Sequence, residues 1–558
     1  MIRISGGSPR AIRYVGLAGS IALAIAAVLK GALPELQTHV SPQDIASGRH
    51  GPLIMVLWLA GTAALGGAWW LGLRLPGTGR ITTRWVIGTA ALWMLPMLVV
   101  PPTGSRDVYA YACQGDLYAA GRDSYHEGVS ALPCQWLDSM SHIWRSTPTP
   151  YGPLYIMFEG FAARLGSLTA AIVAFRLLAV AGVALIAYSL PPIARRLGRP
   201  VDRTLWLALA SPLVAVHLIG GAHNDAITLG LLAAAVAVMI TWYDRMAGWV
   251  GGGTLIGLSL AIKPTILVAV PFLVLYAAGG ADAPTGTGAR DHGPLGFPPV
   301  RAIVTRGGPV LASAFVGLLI PTLISGLGFG WIDALLHAGG GISWTSVSSA
   351  TGITIDSAAG LFGAHLYVVP AVRTIGVYAL VAALVLIFWR GRHDNRLYAA
   401  GMALLAVTFF APFIEPWYLL WPLVLFAMTP ARVGWFVAIV VASCFTAMPN
   451  GNGLDPLGQK RLSLLTTALG IAGIVVGIRW LWRGRRPAVT ALPTATAVAP
   501  ATAVTPATTP PAESVSSAES MPPAGSMPPA GSIAAVPRPA APVGESLPAE
   551  PDHAARTG

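Results

Sequence analysis

The sequence predicts an all-α integral membrane protein with about fourteen transmembrane helices. Of its 558 residues, 54% are hydrophobic and only 10% are charged, and its mean hydropathy is +0.65. A chain this apolar cannot bury its side chains in the core of a soluble globule. Apolar runs long enough to cross about 30 Å of hydrocarbon recur from Ile12 to Leu481, and short charged connectors separate them.

The first apolar run, residues 11–33, is predicted to be a retained membrane span. It follows the basic residues Arg3, Arg10 and Arg13, and no convincing small-residue cleavage site precedes Pro34. A signal peptide that is removed from the mature protein is the alternative.

The distribution of arginine predicts the orientation of the spans. Lysine and arginine in short loops favour the cytoplasmic side of a membrane. Threading the spans between the basic connectors places both termini in the cytoplasm and two long non-basic loops, residues 103–151 and 327–367, on the outer face of the plasma membrane. The arginines of these connectors are Arg74, Arg80, Arg84, Arg195, Arg196, Arg199, Arg203, Arg390, Arg392, Arg396, Arg483, Arg485 and Arg486.

The composition changes near residue 486, which predicts two parts. Residues 1–486 form the membrane domain, whereas residues 487–558 consist mostly of Ala, Pro, Thr, Ser and Gly and repeat the hexamer SMPPAG. This C-terminal tail is predicted to be disordered because it has too few large apolar residues to offset the entropy of ordering. Its two arginines and five acidic residues give it a net charge of −3, so the chain's basic balance of +12 belongs to the membrane domain and indicates no nucleic-acid partner.

The three cysteines permit one disulfide outside the membrane. Cys113 and Cys134 both lie in the first predicted outer loop, where an oxidising compartment would allow them to pair, although they could equally stay free. Cys444 lies in an apolar span, where packing is the expected role.

Polar residues are concentrated in the stretch SRDVYAYACQGDLYAAGRDSY, residues 105–125. Asp107 lies only a few residues beyond an apolar run that ends in VVPPTG, so its carboxylate is expected close to the outer membrane surface. In a helix, Asp107, Tyr111 and, less strictly, Gln114 would share one face. Asp107 is therefore predicted to cap this helix, to act in catalysis, or to do both.

Lys263 is one of only three lysines in the chain, and it lies between two short apolar runs, residues 248–262 and 265–278. Pro264 ends the first run. Two runs this short that meet at Lys263 would return the lysine to the outer side of the membrane. Ionisable residues at membrane depth are functional candidates, and the alternative is an ordinary lysine that extends its ammonium to water.

Five motifs together make the chain recognisable. They are DVYAYACQGDLYAAGRDSY, WRSTPTPYGPLY, GGAHNDA, AIKPT and FIEPWYLLW. In this order and spacing they resemble the actinobacterial polyprenyl-phosphomannose-dependent α-1,6-mannosyltransferases, the MptA and MptB family of GT-C glycosyltransferases. The resemblance covers roughly residues 84–483. It implies a GT-C fold that takes mannose from a polyprenyl-phosphate-mannose lipid at the outer leaflet and adds it to the mannan chain of a lipoglycan.

The resemblance also implies a catalytic base. In GT-C enzymes an acidic residue in the first large outer loop has this role, and Asp107 is the matching position. The acceptor hydroxyl must lose its proton as the phosphate leaves, and a carboxylate within hydrogen-bond distance can take it. Asp116, nine residues further along, is the second candidate.

The departing phosphate gains charge in the transition state and requires fixed cations or hydrogen-bond donors. Lys263, His223 and Arg106 are the predicted phosphate-binding residues. His223 with Asp225 could instead bind a divalent cation, and Asp225 could simply start a helix. The sequence contains no metal motif with proper ligand spacing, so no metal site and no required cofactor are predicted.

A carboxylate beside an aromatic ring is a common way to hold a sugar, through hydroxyl hydrogen bonds and stacking. Glu415 and Trp417 form such a pair, although an aromatic belt at the membrane interface also explains Trp417, Tyr418 and Trp421. The residues predicted to bind the sugar or the acceptor are Tyr109, Tyr111, Gln114, Arg145, Tyr151, Asp225, Glu415 and Trp417.

Two other functions are compatible with this sequence. One is a GT-C transferase for another lipid-phosphate sugar, such as arabinofuranose. The other is a transporter or flippase of lipid-linked sugars, which would share the spans and the buried lysine. The crowding of polar residues onto one face, and the absence of a visible inverted repeat, favour the transferase.

Overall fold

The computed structural model describes residues 8–34, 42–141, 144–279, 296–337, 344–392, 395–411, 414–430, 433–452 and 459–482. Within these ranges the secondary structure is helical and contains no β-strand. The predicted all-α class is therefore confirmed. The predicted C-terminal tail, residues 487–558, lies outside the described residues.

The helices of the N-terminal half are as follows: α1 (Pro9–Lys30), α2 (Pro42–Ser47), α3 (Gly51–Gly72), α4 (Thr83–Leu98), α5 (Asp107–Ala119), α6 (Pro153–Ala163), α7 (Leu168–Arg196), α8 (Val201–Leu209), α9 (Asp225–Thr241), α10 (Met246–Leu260) and α11 (Val270–Gly279). A π-helical segment, Val214–Gly220, follows α8. A 3-10 segment, Pro264–Ala269, joins α10 to α11.

The helices of the C-terminal half are as follows: α12 (Val300–Ala302), α13 (Gly308–Ser325), α14 (Trp331–His337), α15 (Val347–Gly360), α16 (Val369–Gly391), α17 (Arg396–Phe410), α18 (Leu420–Ala427), α19 (Gly434–Ser443) and α20 (Gln459–Trp482). The π-helical segment Ile303–Gly307 joins α12 to α13. The 3-10 segment Pro416–Leu419 precedes α18.

Six helices among the described residues are long and apolar enough to cross a membrane, which makes this a multi-pass membrane protein. They are α1, α3, α7, the continuous stretch Val300–Ser325, α16 and α20. The pair formed by α8 and its π-helical segment, bent by 58°, would make a seventh.

The prediction of about fourteen spans is not confirmed, because several apolar runs form helices of only 10–17 residues. Chain breaks explain the difference. At Lys263 and Pro264, for example, the run that begins in α10 changes to a 3-10 segment before α11 begins.

The site described below is positioned by close packing between α7 and α9. A Cβ atom on Gly182 of α7 would lie 2.3 Å from the carbonyl carbon of Ala226, so only glycine allows this approach. The contact brings the start of α9 against the middle of α7. The break between α10 and α11 places Lys263 beside Asp225 at the start of α9. The 3-10 segment before α18 places Trp417 beside His223 in the same region.

The first predicted outer loop contains α5 and two short 3-10 turns, and a disulfide joins Cys113 to Cys134 within it. Cys113 lies in α5, whereas Cys134 lies between the two turns. The disulfide that the sequence left open is thus present in the structure. It ties the helix that begins with Asp107 to the loop that follows it.

Candidate active site

Asp107 is the first residue of α5, and its side chain is partly exposed, at 19%. Arg106 occupies the preceding cap position without a side-chain cap bond, so Asp107 is not the N-cap residue. The Asp107 backbone N–H donates to Ser105 Oγ at 3.1 Å. A carboxylate in the first turn of a helix is favoured by the helix dipole. The N-terminus of α5 therefore presents Asp107 to the space beside it.

The GGAHNDA motif forms the turn that enters α9. Ala222 has φ of 55°, the left-handed region, and it is buried. Strained backbone of this kind is held in place by its surroundings and is often found at functional sites. The turn directs His223, Asn224 and Asp225 inward, and the three side chains are buried.

Asp225 and Lys263 form a buried ion pair. Lys263 Nζ donates to Asp225 Oδ1 at 2.7 Å and to Oδ2 at 2.8 Å, with a longer contact of 3.5 Å to Asn224 Oδ1. Trp421 Nε1 also donates to Asp225 Oδ1, at 2.5 Å. A buried carboxylate is stable only when it is paired and hydrogen-bonded, and Asp225 fulfils both conditions.

Aromatic rings surround the Lys263 ammonium. Nζ lies 5.8 Å from the ring centre of Tyr151, 5.4 Å from that of Tyr418 and 5.2 Å from that of Trp421. These distances suit cation–π attraction. Lys263 is only 8% exposed, so the alternative of a lysine that extends to water does not fit its contacts.

His223 joins the ion pair to Asp107. Its Nδ1 lies 3.7 Å from Asp107 Oδ2 and 3.3 Å from the hydroxyl oxygen of Tyr111. The ring of Trp417 covers one face of the imidazole, with ring centres 4.1 Å apart. Tyr111 in turn packs edge-on against Tyr151, at 5.5 Å. We call this set of residues, Asp107, Tyr111, Tyr151, His223, Asp225, Lys263, Trp417, Tyr418 and Trp421, the Asp107 cluster.

Burial and charge set the protonation of the groups in and around the cluster. Burial raises the pKa of Asp107 to about 6, while Lys263 lowers it and Asp225 raises it. Burial, and secondly the charge of Asp107, raise the pKa of Glu415 to about 8. Burial lowers the pKa of His223 well below its usual value, with Lys263 adding to this effect, so the imidazole is neutral.

Asp116 lies on the other side of α5 from Asp107. Nine residues correspond to about 900° of helix rotation, or half a turn out of phase, and to about 13 Å along the axis. The Asp116 carboxylate instead lies 3.6 Å from Cys134 Sγ. The structure therefore does not bring the second candidate base to the Asp107 cluster.

Three other predicted residues hold the backbone. The Arg106 guanidinium donates to the carbonyl oxygens of Leu33, Ser139 and Asn450 at 2.7–3.0 Å. Tyr109 donates its hydroxyl to Ala32 O. Arg145 Nη2 donates to Asp138 O at 3.2 Å, and its Nη1 donates to Asp138 Oδ1 at 2.9 Å. The predicted phosphate role of Arg106 thus has no support in these contacts. Gln114 is buried in α5, one helical turn beyond Tyr111.

Comparison with known proteins decides the family. The model for the N-terminal domain of α-(1→6)-mannopyranosyltransferases matches residues 13–279, and the model for the MptB C-terminal domain matches residues 345–460. The chain is 32% identical to α-(1→6)-mannopyranosyltransferase A of Mycobacterium tuberculosis over 361 residues, which is 63% of this chain and 67% of that protein. The chain belongs to the α-(1→6)-mannopyranosyltransferase family.

Other mannopyranosyltransferases are similar over more of the chain. A probable α-(1→6)-mannopyranosyltransferase of Mycolicibacterium smegmatis is 29% identical over 83% of this chain and 87% of its own length. The α-(1→6)-mannopyranosyltransferase B of Corynebacterium glutamicum is 26% identical over 85% of this chain and 82% of its own length. No solved structure matches the chain. The protein is thus a glycosyltransferase, as the motifs indicated.

Both matched segments of this mannopyranosyltransferase contribute to the Asp107 cluster. Asp107, His223 and Lys263 lie in the N-terminal match, and Trp417 and Trp421 lie in the C-terminal match. In the described part of the chain, no three His, Cys, Asp or Glu side chains are grouped as a metal site would require.

Sequence reasoning assigned no site role to two members of this cluster in the mannopyranosyltransferase. A membrane-interface belt explains Trp421 and Tyr418 at the level of sequence. In the structure, Trp421 donates to Asp225, and Tyr418 stacks on Trp421 with ring centres 4.5 Å apart. The signal was available in part, because Trp417 and Trp421 are four residues apart in a motif that already contained Glu415.

Proposed function

We propose that this mannopyranosyltransferase transfers mannose from polyprenyl-phosphate-mannose to a growing α-1,6-mannan chain of a lipoglycan, with Asp107 as the catalytic base. The observation that carries the proposal is the Asp107 carboxylate itself. It is partly exposed, its pKa is about 6, and it stands beside a buried cluster of one cation and several aromatic rings.

The reaction is a single displacement. An acceptor hydroxyl oxygen attacks the anomeric carbon of the donor mannose, the bond from that carbon to the phosphate oxygen breaks, and Asp107 takes the hydroxyl proton. The bonding electrons leave with the polyprenyl phosphate. A β-linked donor then gives an α-linked product without a covalent enzyme intermediate.

The raised pKa of Asp107 suits a general base. A carboxyl group with a pKa near 6 is mostly ionised at pH 7 and holds a proton more strongly than an ordinary aspartate. Lys263 opposes the effect of burial on the pKa of Asp107, which favours the ionised carboxylate in a largely buried site.

Lys263 is the proposed contact of the donor phosphate. Two of its hydrogen bonds, at 2.7 and 2.8 Å, go to Asp225, and the longest, at 3.5 Å, goes to Asn224. The longest is the one that a phosphate oxygen would replace. His223, neutral and beside Asp107, is the second proposed donor to the phosphate or to a sugar hydroxyl.

Glu415 and the aromatic side chains are the proposed sugar-binding groups. With its pKa raised to about 8, Glu415 is mostly protonated at neutral pH and can donate as well as accept a hydrogen bond. Tyr111 and Tyr151 offer ring edges and hydroxyl groups within the same cluster. Divalent-cation dependence is not part of the proposal, because Lys263 supplies the positive charge.

We place the active site on the extracytoplasmic side and both termini in the cytoplasm. The arginine-rich connectors support this orientation. The Cys113–Cys134 disulfide in the loop of α5 supports it independently, since disulfides persist in oxidising compartments.

A transfer assay with the purified full chain in detergent tests the function. Polyprenyl-phosphate-mannose and a short α-1,6-mannan are supplied, and the linkage of the product is determined. Polyprenyl-phosphate-arabinofuranose serves as the matched donor. We expect α-1,6-linked mannose in the product and at least tenfold slower use of arabinofuranose. Faster arabinofuranose transfer would change the assigned sugar. If the detergent assay shows no transfer, a parallel reconstitution into vesicles that shows movement of the lipid-linked sugar across the membrane would indicate a flippase.

A further inference from the structure

A second polar feature lies far from the Asp107 cluster, at the other end of α9. It is an open cleft of about 650 Å³ between the C-terminal end of α7 and the turn that joins α9 to α10. We call it the arginine cleft. Its lining residues are Pro192, Arg195, Arg196, Ile240, Thr241, Trp242, Tyr243, Asp244 and Arg245.

The arginine cleft is separated from the proposed active site by the length of α9. This helix begins at Asp225, in the Asp107 cluster, and ends at Thr241, in the cleft. Its 17 residues rise about 25 Å, which is close to the thickness of the hydrocarbon layer. The cleft therefore lies near the opposite membrane surface, and it is not part of the machinery for sugar transfer.

Two chain segments supply its cations. Arg195 and Arg196 form the last turn of α7, a span of 29 residues. Arg245 lies in the turn between α9 and α10, which is closed by its backbone N–H donating to Trp242 O at 3.0 Å. A Cβ on Gly248 would lie 2.3 Å from the same Trp242 oxygen, so this turn is tightly packed. Arg245 is thereby held across the cleft from α7.

One wall of the cleft is held by a side-chain hydrogen bond, whereas the three arginines of the lining are exposed. Arg306 Nη1 donates to the Tyr243 hydroxyl oxygen at 2.8 Å and lies over its ring, which fixes that wall. Asp244 is the single acidic side chain in the lining. Arg195, Arg196 and Arg245 are exposed, and none of them has an ion pair with another described residue.

Positive charge at this membrane face is expected from topology alone. Topology, however, does not require three arginines from two segments to converge on one cavity. Trp242, which is 47% exposed, is of the residue type found at membrane interfaces. A cavity with this charge, at this depth and beside an interfacial tryptophan, fits the phosphate of a lipid headgroup.

We propose that the arginine cleft binds a phosphate group, and that this phosphate belongs to the headgroup of an anionic phospholipid of the membrane leaflet opposite to Asp107. The guanidinium groups of Arg195, Arg196 and Arg245 supply the charge and the hydrogen bonds. Free inorganic phosphate shares this chemistry and is the other possible source.

Lipid retention by the full chain in nanodiscs tests the proposal. The discs contain equal amounts of phosphatidylglycerol and phosphatidylcholine, and native mass spectrometry of the released protein measures which lipid stays bound. The cleft variant carries Arg195→Gln, Arg196→Gln and Arg245→Gln. The matched control carries Arg74→Gln, Arg80→Gln and Arg84→Gln, which remove the same charge from another connector.

We expect wild type and control to retain phosphatidylglycerol, and the cleft variant to lose it about 100-fold, at roughly fivefold per arginine. Mannosyl transfer should stay unchanged in the cleft variant. If the triple variant does not fold, the single variants Arg245→Gln and Arg74→Gln are compared instead. We then expect Arg245→Gln to reduce phosphatidylglycerol retention about fivefold relative to Arg74→Gln.

A parallel titration with inorganic phosphate in phosphatidylcholine discs distinguishes the two sources. One outcome is that wild type binds inorganic phosphate, the cleft variant does not, and wild type retains no lipid selectively. This outcome would support a phosphate site and overturn the assignment of a lipid headgroup. Equal lipid retention by the cleft variant and the control, with no phosphate binding, would overturn the proposal.

Discussion

The surroundings of Asp225 and Glu159 show two ways to bury a carboxyl group in one protein. Both side chains are fully buried, at 0% exposure. Asp225, at the start of α9, accepts hydrogen bonds from Lys263 and Trp421. Glu159, in α6, has no hydrogen-bond partner on either carboxyl oxygen among the described residues.

The difference shows what a buried carboxyl group requires in order to remain ionised. Asp225 stays compatible with a negative charge because a cation lies 2.7 Å away. Without such a cation, burial raises the pKa of Glu159 well above its usual value and favours its neutral form. Asp107 lies between these extremes, with partial exposure and a pKa of about 6. Asp107 is therefore suited to exchange a proton with a ligand near neutral pH.

The largest expected effect is on the rate of transfer in Asp107→Asn. The amide keeps the size of the side chain but cannot accept the hydroxyl proton, so we expect a loss of about 10² to 10⁴ in kcat. Asp116→Asn is the matched control, because it makes the same change on the opposite face of α5, and it should stay within a few fold of wild type. A stable Asp107→Asn enzyme with near-wild-type kcat would remove the base from this position.

The next effect is on stability in Asp225→Asn. This variant leaves the Lys263 ammonium buried without its anion, which should cost about 3–5 kcal/mol and lower the apparent Tm in detergent by several degrees. Adding Lys263→Met should recover part of that loss, because neither charge then remains. An Asp225→Asn protein as stable as wild type would mean that the ion pair contributes little.

The third effect is on the pH dependence of kcat/KM. Asp107 must be ionised to act as a base, and its pKa is about 6, so kcat/KM should rise about tenfold per pH unit below pH 6 and level off above it. Since Lys263 lowers this pKa, Lys263→Met should move the midpoint to higher pH. An unchanged midpoint in that variant would mean that the acidic limb of the kcat/KM profile does not report the ionisation of Asp107.

The smallest effect is expected for Glu159→Gln. A folded pKa raised above the ordinary 4.5 means that wild type loses stability as pH rises from about 4.5 toward the raised pKa. The amide does not titrate, so the difference in apparent Tm between variant and wild type should grow in favour of the variant from pH 5 to pH 8. A parallel pH profile for Glu159→Gln and wild type would show that Glu159 has a partner in the native protein.

Much of the candidate site could be predicted from short motifs, whereas its distances could not. Asp107, His223 and Lys263 each belong to a motif of the family, yet no periodicity relates positions 107, 223 and 263 to one another. The contacts of Arg106 were beyond prediction for the same reason, since its carbonyl partners come from residues 33, 139 and 450. The unfavourable position of Asp116, by contrast, follows from helical periodicity alone.

The helical class could be predicted from hydropathy, but the number of spans could not. Hydropathy counts an apolar run whether it forms one long helix or a short helix with a break. The run before Lys263 ends at a lysine and a proline, which is where α10 gives way to a 3-10 segment. Breaks of this kind depend on tertiary partners, here the carboxylate of Asp225, that lie far away in the sequence.

The Cys113–Cys134 disulfide has a practical consequence for the handling of this enzyme. It closes a loop of 21 residues that starts within the helix of Asp107, and a cross-link of this span restricts the unfolded chain by roughly 3 kcal/mol. A host that keeps this loop reduced would therefore supply enzyme whose α5 lacks its tether. Expression strains with an oxidising envelope, and purification buffers without thiol reductants, are the conditions under which the protein described here can be prepared.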